Sequence, residues 1–137
     1  MRYLIDTNVF IRIIKDYDIS DNIKDILEDY ENMIYVSSES IKEFVHLVQN
    51  EKIRLSKGQI LSDIFNLIED KLDFEIKYVT KEHLLTLAKL ELVENHNDPS
   101  DRLIISQAIT ERISLISSDA KFPKYRKQGL DLIINRW

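Results

Sequence analysis

Five short apolar runs, the first four separated by stretches of helical period, leave this chain few folds to choose from. The runs are Tyr3-Leu4-Ile5, Met33-Ile34-Tyr35-Val36, Phe74-Glu75-Ile76-Lys77-Tyr78-Val79, Ile113-Ser114-Leu115-Ile116 and Leu132-Ile133-Ile134, each of strand length. Helical patterns lie between them. Val9 to Ile14 and Ile23 to Leu27 fall between the first two runs. Ile41, Phe44, Val45 and Val48 form one face, and Ile60, Ile64, Phe65, Ile68 and Leu72 another. Leu84, Leu87 and Ala88 mark a further helix; Ile104, Ile105, Ala108 and Ile109 mark the last. Strands alternating with helices predict an α/β sandwich on a mainly parallel sheet. The helices near residues 41–51 and 57–72 read as a hairpin standing beyond that sheet.

Composition narrows the chemistry. A chain of 137 residues, 44% hydrophobic, is expected to form one domain over residues 1–137 with a core that needs no covalent staples. It has no cysteine, which excludes thiolate zinc sites, thiol nucleophiles and disulfides. With two glycines, it has no glycine-rich phosphate loop. Neither a signal segment nor a membrane-spanning apolar run is visible, so a soluble cytoplasmic protein is expected. The net charge of −5 argues against broad gripping of phosphates. It leaves room for a nucleic-acid enzyme whose own site supplies the acids.

Four carboxylates stand where a strand should hand over to a helix. Asp6 follows Leu4-Ile5, Glu43 comes after Val36-Ser37-Ser38, Asp101 sits in Asp98-Pro99-Ser100-Asp101-Arg102, and Asp119 ends Leu115-Ile116-Ser117-Ser118-Asp119. Parallel strands deliver such turns to one edge of the sheet, where distant residues converge. Gathered carboxylates repel unless a hard cation lies between them, and oxygen donors suit Mg²⁺ or Mn²⁺. That combination points to metal-assisted chemistry on a phosphate.

Each acid also has a structural role open to it. Asp6 can cap the helix near Val9, and Asp119 a short helix through Lys121. Ser40-Ile41-Lys42-Glu43 has the form of a capping box, and Glu43 lies off the Ile41/Phe44/Val48 face. Asp98 before Pro99 reads as an N-cap. At about 100° per residue, Asp101 falls within the stripe of Ile104, Ile105 and Ala108. A charge on a core-facing stripe needs a partner. Asp101 is therefore assigned to the site and Asp98 to capping and outer-sphere support. His46 and His83 read as surface or half-buried side chains, His96 as a residue that orders its loop or meets substrate, and Trp137 as a packing or interface residue.

These segments resemble the PIN-domain nucleases, and among them the VapC-like toxins of toxin–antitoxin pairs. The resemblance is carried by Tyr3-Leu4-Ile5-Asp6-Thr7-Asn8-Val9-Phe10, Val36 through Phe44, His96 through Ala108, and Leu115 through Phe122, in the family's order. It implies a PIN-like fold, a three-layer sandwich with a mainly parallel central sheet of about five strands flanked by helices. It implies that Asp6, Glu43, Asp101 and Asp119 form a catalytic, metal-binding quartet supported by Thr7 or Asn8 and by Ser118, beside the Asp98 already assigned to outer-sphere support. It further implies a metal-dependent endoribonuclease using Mg²⁺ or Mn²⁺, a cognate antitoxin and a homodimer. Ser100 stands where the family usually has a bulky residue, and Asn97 where it often has a basic one. Arg102 and Lys121, with Lys124, Arg126 and Lys127, are expected to guide the RNA backbone.

Two rivals belong to other classes. One is a non-catalytic PIN-fold module that binds RNA or protein, against which the complete acidic set counts. The other is a phospho-aspartate phosphatase or receiver, for which Asp6-Thr7-Asn8 lacks a second Asp.

Overall fold

Alternation along the strands divides the core between the two faces of a sheet. The computed structural model describes residues 1–135. Its strands are β1 (Arg2–Ile5), β2 (Met33–Ser37), β3 (Glu75–Lys77), β4 (Ser114–Ser117) and β5 (Leu132–Ile134), all parallel, in the order β3-β2-β1-β4-β5. Register places Leu4 beside Tyr35 and Leu115, and Ile5 beside Val36 and Ile116. Tyr3, Ile5, Ile34, Val36 and Ile116 share one core cluster; Leu4, Tyr35, Leu115 and Leu132 share the other. The period of two side chains per strand repeat accounts for this split.

Helices cover both faces. α1 (Thr7–Ile14), α2 (Asp21–Glu28), α3 (Ser38–Gln49) and α4 (Asp63–Asn66), which runs on as a π-helical turn over Leu67–Lys71, supply Val9, Phe10, Ile23, Phe44, Ile64 and Ile68 to the first cluster. α5 (Lys81–Lys89), α6 (Pro99–Glu111) and a 3₁₀ segment (Phe122–Gln128) cover the other face, where Ile104, Ile105, Ala108, Phe122 and Tyr125 meet the second. The result is the expected three-layer sandwich. Phe10 and Phe44 meet edge to face at 6.1 Å, fixing α1 against α3 with about 0.5–1.5 kcal/mol beyond their area burial. Among the described residues no helix is long and apolar enough to cross a membrane.

Three expectations change. The region near 41–51 and 57–72 does not stand beyond the sheet: Ile41, Phe44, Ile64 and Ile68 lie in its core. The second helix of that pair begins only at Asp63, after turns containing Gly58 at φ +83°. Asp63 accepts from the Ile60 amide at 2.9 Å, so Ile60 lies before the helix and is exposed, as is Phe65 on its outer face. The third strand is shorter than its apolar run, with Tyr78 outside it and exposed. Finally, α6 is buried along Arg102–Ala108, polar residues included, because it is wedged between the sheet, α3 and α5. Trp137 lies outside the described residues.

Candidate metal centre

The strand order places β1 at the point where the chain turns first to β2 on one side and later to β4 on the other. Crevices open at such switch points, beyond the carboxyl ends of the strands. Asp6 occupies that position. Its amide donates to the Ile116 carbonyl at 3.0 Å, continuing the ladder one residue past β1. Its carboxylate accepts from the Val9 amide at 2.9 Å, which caps α1, and from the Ser117 hydroxyl. Capping and site placement, alternatives in the sequence, are here one arrangement. Burial pushes the Asp6 carboxyl up to about 7; the Ser117 and Val9 bonds oppose this, and the charges of Asp101 and Asp119 add to it.

Ser117 does more than the sequence suggested. This fully buried hydroxyl donates to Asp6 and accepts from the Asp119 amide at 3.0 Å, joining two acids through one side chain. The family resemblance implies a supporting role for its neighbour Ser118. The signal for Ser117 is its place as the last residue of a wholly buried strand, directly after Leu115 and Ile116. Asp119 in turn accepts from the Lys121 amide at 2.8 Å.

Asp98 is the N-cap of α6, as expected, accepting from the Asp101 amide at 3.0 Å, with Pro99 in the first turn. Asp101 is half-buried on that turn. Burial raises its pKa first and the neighbouring Asp98 charge second, while a bond from His96 to Oδ2 at 3.2 Å opposes them. The Ser40–Glu43 capping box does not form. Ser37 caps α3, accepting from the Glu39 amide at 3.0 Å, so Ser40 lies inside the helix and pairs instead with Thr7 at 2.9 Å. Glu43 is thereby left without a hydrogen bond or ion pair among the described residues.

Asp6, Glu43, Asp101 and Asp119 all line one cavity of about 320 Å³, with Thr7, Asn8 and Asp98 at its wall and, among the described residues, no lysine or arginine. His96, Asp101 and Asp119 each bring a possible ligand atom within 4.8 Å of the others. The donor set fits a hard divalent cation. It is rich in carboxylate oxygen, no basic side chain among the described residues lines the cavity to offset it, and the charges of the other acids add to the rise at Asp6.

Other residues fall elsewhere. Arg102, expected to guide the RNA backbone, is 8% exposed, and its guanidinium donates to the carbonyls of Leu90 and Glu91 and to the Tyr125 hydroxyl. The core-wedged position of α6 turns that side chain inward. Lys121, Lys124, Arg126 and Lys127 are exposed beside Asp119 in sequence. His46 is exposed as expected. His83 is instead fully buried, forming a capping box with Thr80 and bonding Glu111 at 2.9 Å. His96 orders its loop from a buried position, through Tyr125 and Asp101.

A family model for the PIN domain matches residues 3–128. No curated protein sequence matches the chain. Among solved structures, VapBC2 of Rickettsia felis bound to a promoter DNA fragment is similar at 21% identity and a TM-score of 0.70, covering 99% of this chain and 100% of that one. DNA-bound VapBC of Salmonella typhimurium aligns at 16% identity and 0.69, covering 98% of each chain. VapBC-1 of nontypeable Haemophilus influenzae aligns at 19% and 0.66, again covering 98% of each. At these identities the likeness is one of fold.

Proposed function

The chain belongs to the PIN domain family, and from that premise we propose that it is a metal-dependent endoribonuclease, the toxin of a toxin–antitoxin pair. The observation that carries this reading is the convergence of Asp6, Glu43, Asp101 and Asp119, from four separate chain segments, on one cavity. In this reading the four acids hold Mg²⁺ or Mn²⁺. Such an ion, when bound, acidifies a water and stabilises the leaving oxygen of a phosphodiester. Asp6 must be ionised to take part, and Ser117 favours that state by donating to it. Asp98 sets the first turn of α6, and Thr7 with Ser40 ties α1 to α3 across the cavity wall. Asn8 and Ser118 stand at the cavity and beside Asp119 as supporting residues.

Among the described residues the wall carries no cation of its own, so an anionic strand meets an acidic site unless metal is present. Exposed Lys121, Lys124, Arg126 and Lys127 are the side chains proposed to steer the RNA backbone. The solved VapBC structures support a protein antitoxin as partner. A single PIN domain over residues 1–137, acting as a cytoplasmic homodimer, completes the proposal.

The test is cleavage of a mixed panel of tRNA and rRNA fragments by antitoxin-free protein, with Mg²⁺, Mn²⁺ or chelator, beside folded Asp101→Asn. Metal-dependent cuts that vanish in the variant support the reading. A folded wild type that cuts nothing with either metal moves the balance to a non-catalytic module, and cutting by the variant points to a contaminant.

A further inference from the structure

We propose that His96 positions Asp101 rather than binding metal, as the last link of a one-way hydrogen-bond relay that begins at Arg102. The proposal rests on the reading of Asp101 as a metal-holding carboxylate. Its direction follows from which groups can donate.

A guanidinium has donors and no acceptor. That of Arg102 donates to Leu90 O at 3.0 Å, to Glu91 O at 3.2 Å and to the Tyr125 hydroxyl oxygen at 3.3 Å. Tyr125 is fully buried, and its phenol has a single proton to place. The acceptor for that proton is His96 Nδ1, 2.6 Å away. Nδ1 is then an acceptor, the ring proton sits on Nε2, and Nε2 donates to Asp101 Oδ2 at 3.2 Å. The other neutral tautomer would set a bare Nε2 lone pair against a carboxylate oxygen. A doubly protonated ring would leave the buried phenol proton without an acceptor.

The ring itself is clamped. It is 5% exposed and meets Phe122 and Tyr125 edge to face at 5.6 and 5.3 Å. Its loop is closed by the His96 amide on Val93 O at 3.0 Å, with Asn95 in the left-handed region at φ 63°, which Asn tolerates better than most residues. Both ring nitrogens are therefore occupied and neither keeps a lone pair for a cation, despite the proximity of Asp119. The relay instead fixes the orientation of the Asp101 carboxylate, as outer-shell partners do for metal ligands.

The experiment combines two readouts. Imidazole ¹⁵N spectra of the metal-free protein, with His96 assigned by its absence in His96→Ala, should show the Nε2–H tautomer in the wild type. Tyr125→Phe should disturb that pattern. Mn²⁺ binding is then measured calorimetrically, with electron spin-echo spectra of the bound ion. His96→Ala should weaken Mn²⁺ by about 10–100-fold. His96→Gln, which keeps a donor toward Asp101, should recover most of the loss if it folds, as checked by circular dichroism. The wild-type ion should show no histidine nitrogen coupling. Nitrogen coupling, an Nδ1–H tautomer, or folded His96→Gln as weak as His96→Ala would each overturn the positioning role alone. Wild-type protein that binds no Mn²⁺ would refute the metal reading of Asp101 and the positioning role with it.

Discussion

Asp6→Asn in the metal-free protein should make the fold more stable at neutral and alkaline pH, though it removes a residue proposed for the site. The Asp6 carboxyl rises from an ordinary 3.8 to about 7, chiefly because it is buried. At about 1.4 kcal/mol per pH unit, the folded state then carries a penalty of about 4 kcal/mol for holding this charge above pH 7. The sign follows from the direction of the change. A carboxyl with a raised folded-state value binds its proton more tightly when folded. Its favourable effect is complete below about pH 4 and is lost as pH rises to about 7. Asparagine keeps the acceptor for the Val9 amide and cannot ionise, so the variant escapes the penalty. About 4 kcal/mol is the ceiling, because the new amide must still find an acceptor near Ser117. Even half of it is large against a typical stability of about 5–15 kcal/mol. The assay is urea denaturation in chelator at several pH values between 4 and 8. The variant's advantage should grow from pH 4 to about pH 7 and level off above it, and Mn²⁺ should stabilise the wild type while leaving the variant nearly unmoved. A variant less stable than the wild type at pH 8, or a difference that does not change with pH, would refute the reasoning.

Three further outcomes separate site from scaffold. Glu43→Gln should shift the urea midpoint by no more than about 0.5 kcal/mol equivalent, since Glu43 neither caps α3 nor pairs with a base, yet it should abolish cleavage. Arg102→Ala should cost about 3 kcal/mol or more by orphaning the Leu90 and Glu91 carbonyls and the Tyr125 hydroxyl. Lys121→Ala should leave stability unchanged and flatten the salt dependence of RNA binding by about 0.7 in log–log slope; an unchanged slope removes Lys121 from the RNA path.

Much of this arrangement was legible because period and burial coincide. β1, β2, β4 and β5 fall within a residue of their apolar runs, since each run alternates between the two core clusters. The acids stood out because carboxylates after buried strands are unusual company for isoleucine. What escaped notice depends on contacts between distant segments. Nothing local marks Arg102 as inward-facing, because its partners Leu90, Glu91 and Tyr125 belong to other elements. The Ser40–Glu43 capping box was a sound local pattern that lost to Ser37, which starts the helix three residues earlier than the apolar face suggests. The bond between Ser117 and Asp6 spans 111 residues, so only the sheet order brings it into view.

The outermost strands, β3 and β5, are only three residues long, and β3 places charged Glu75 and Lys77 at its two ends. A sheet trimmed in this way offers little unpaired backbone for another chain to extend. Recognition by a peptide or a second copy then falls to side chains more than to strand addition at these edges. Such recognition is set residue by residue, so a partner matched to one chain of this kind need not cross-react with another of identical fold.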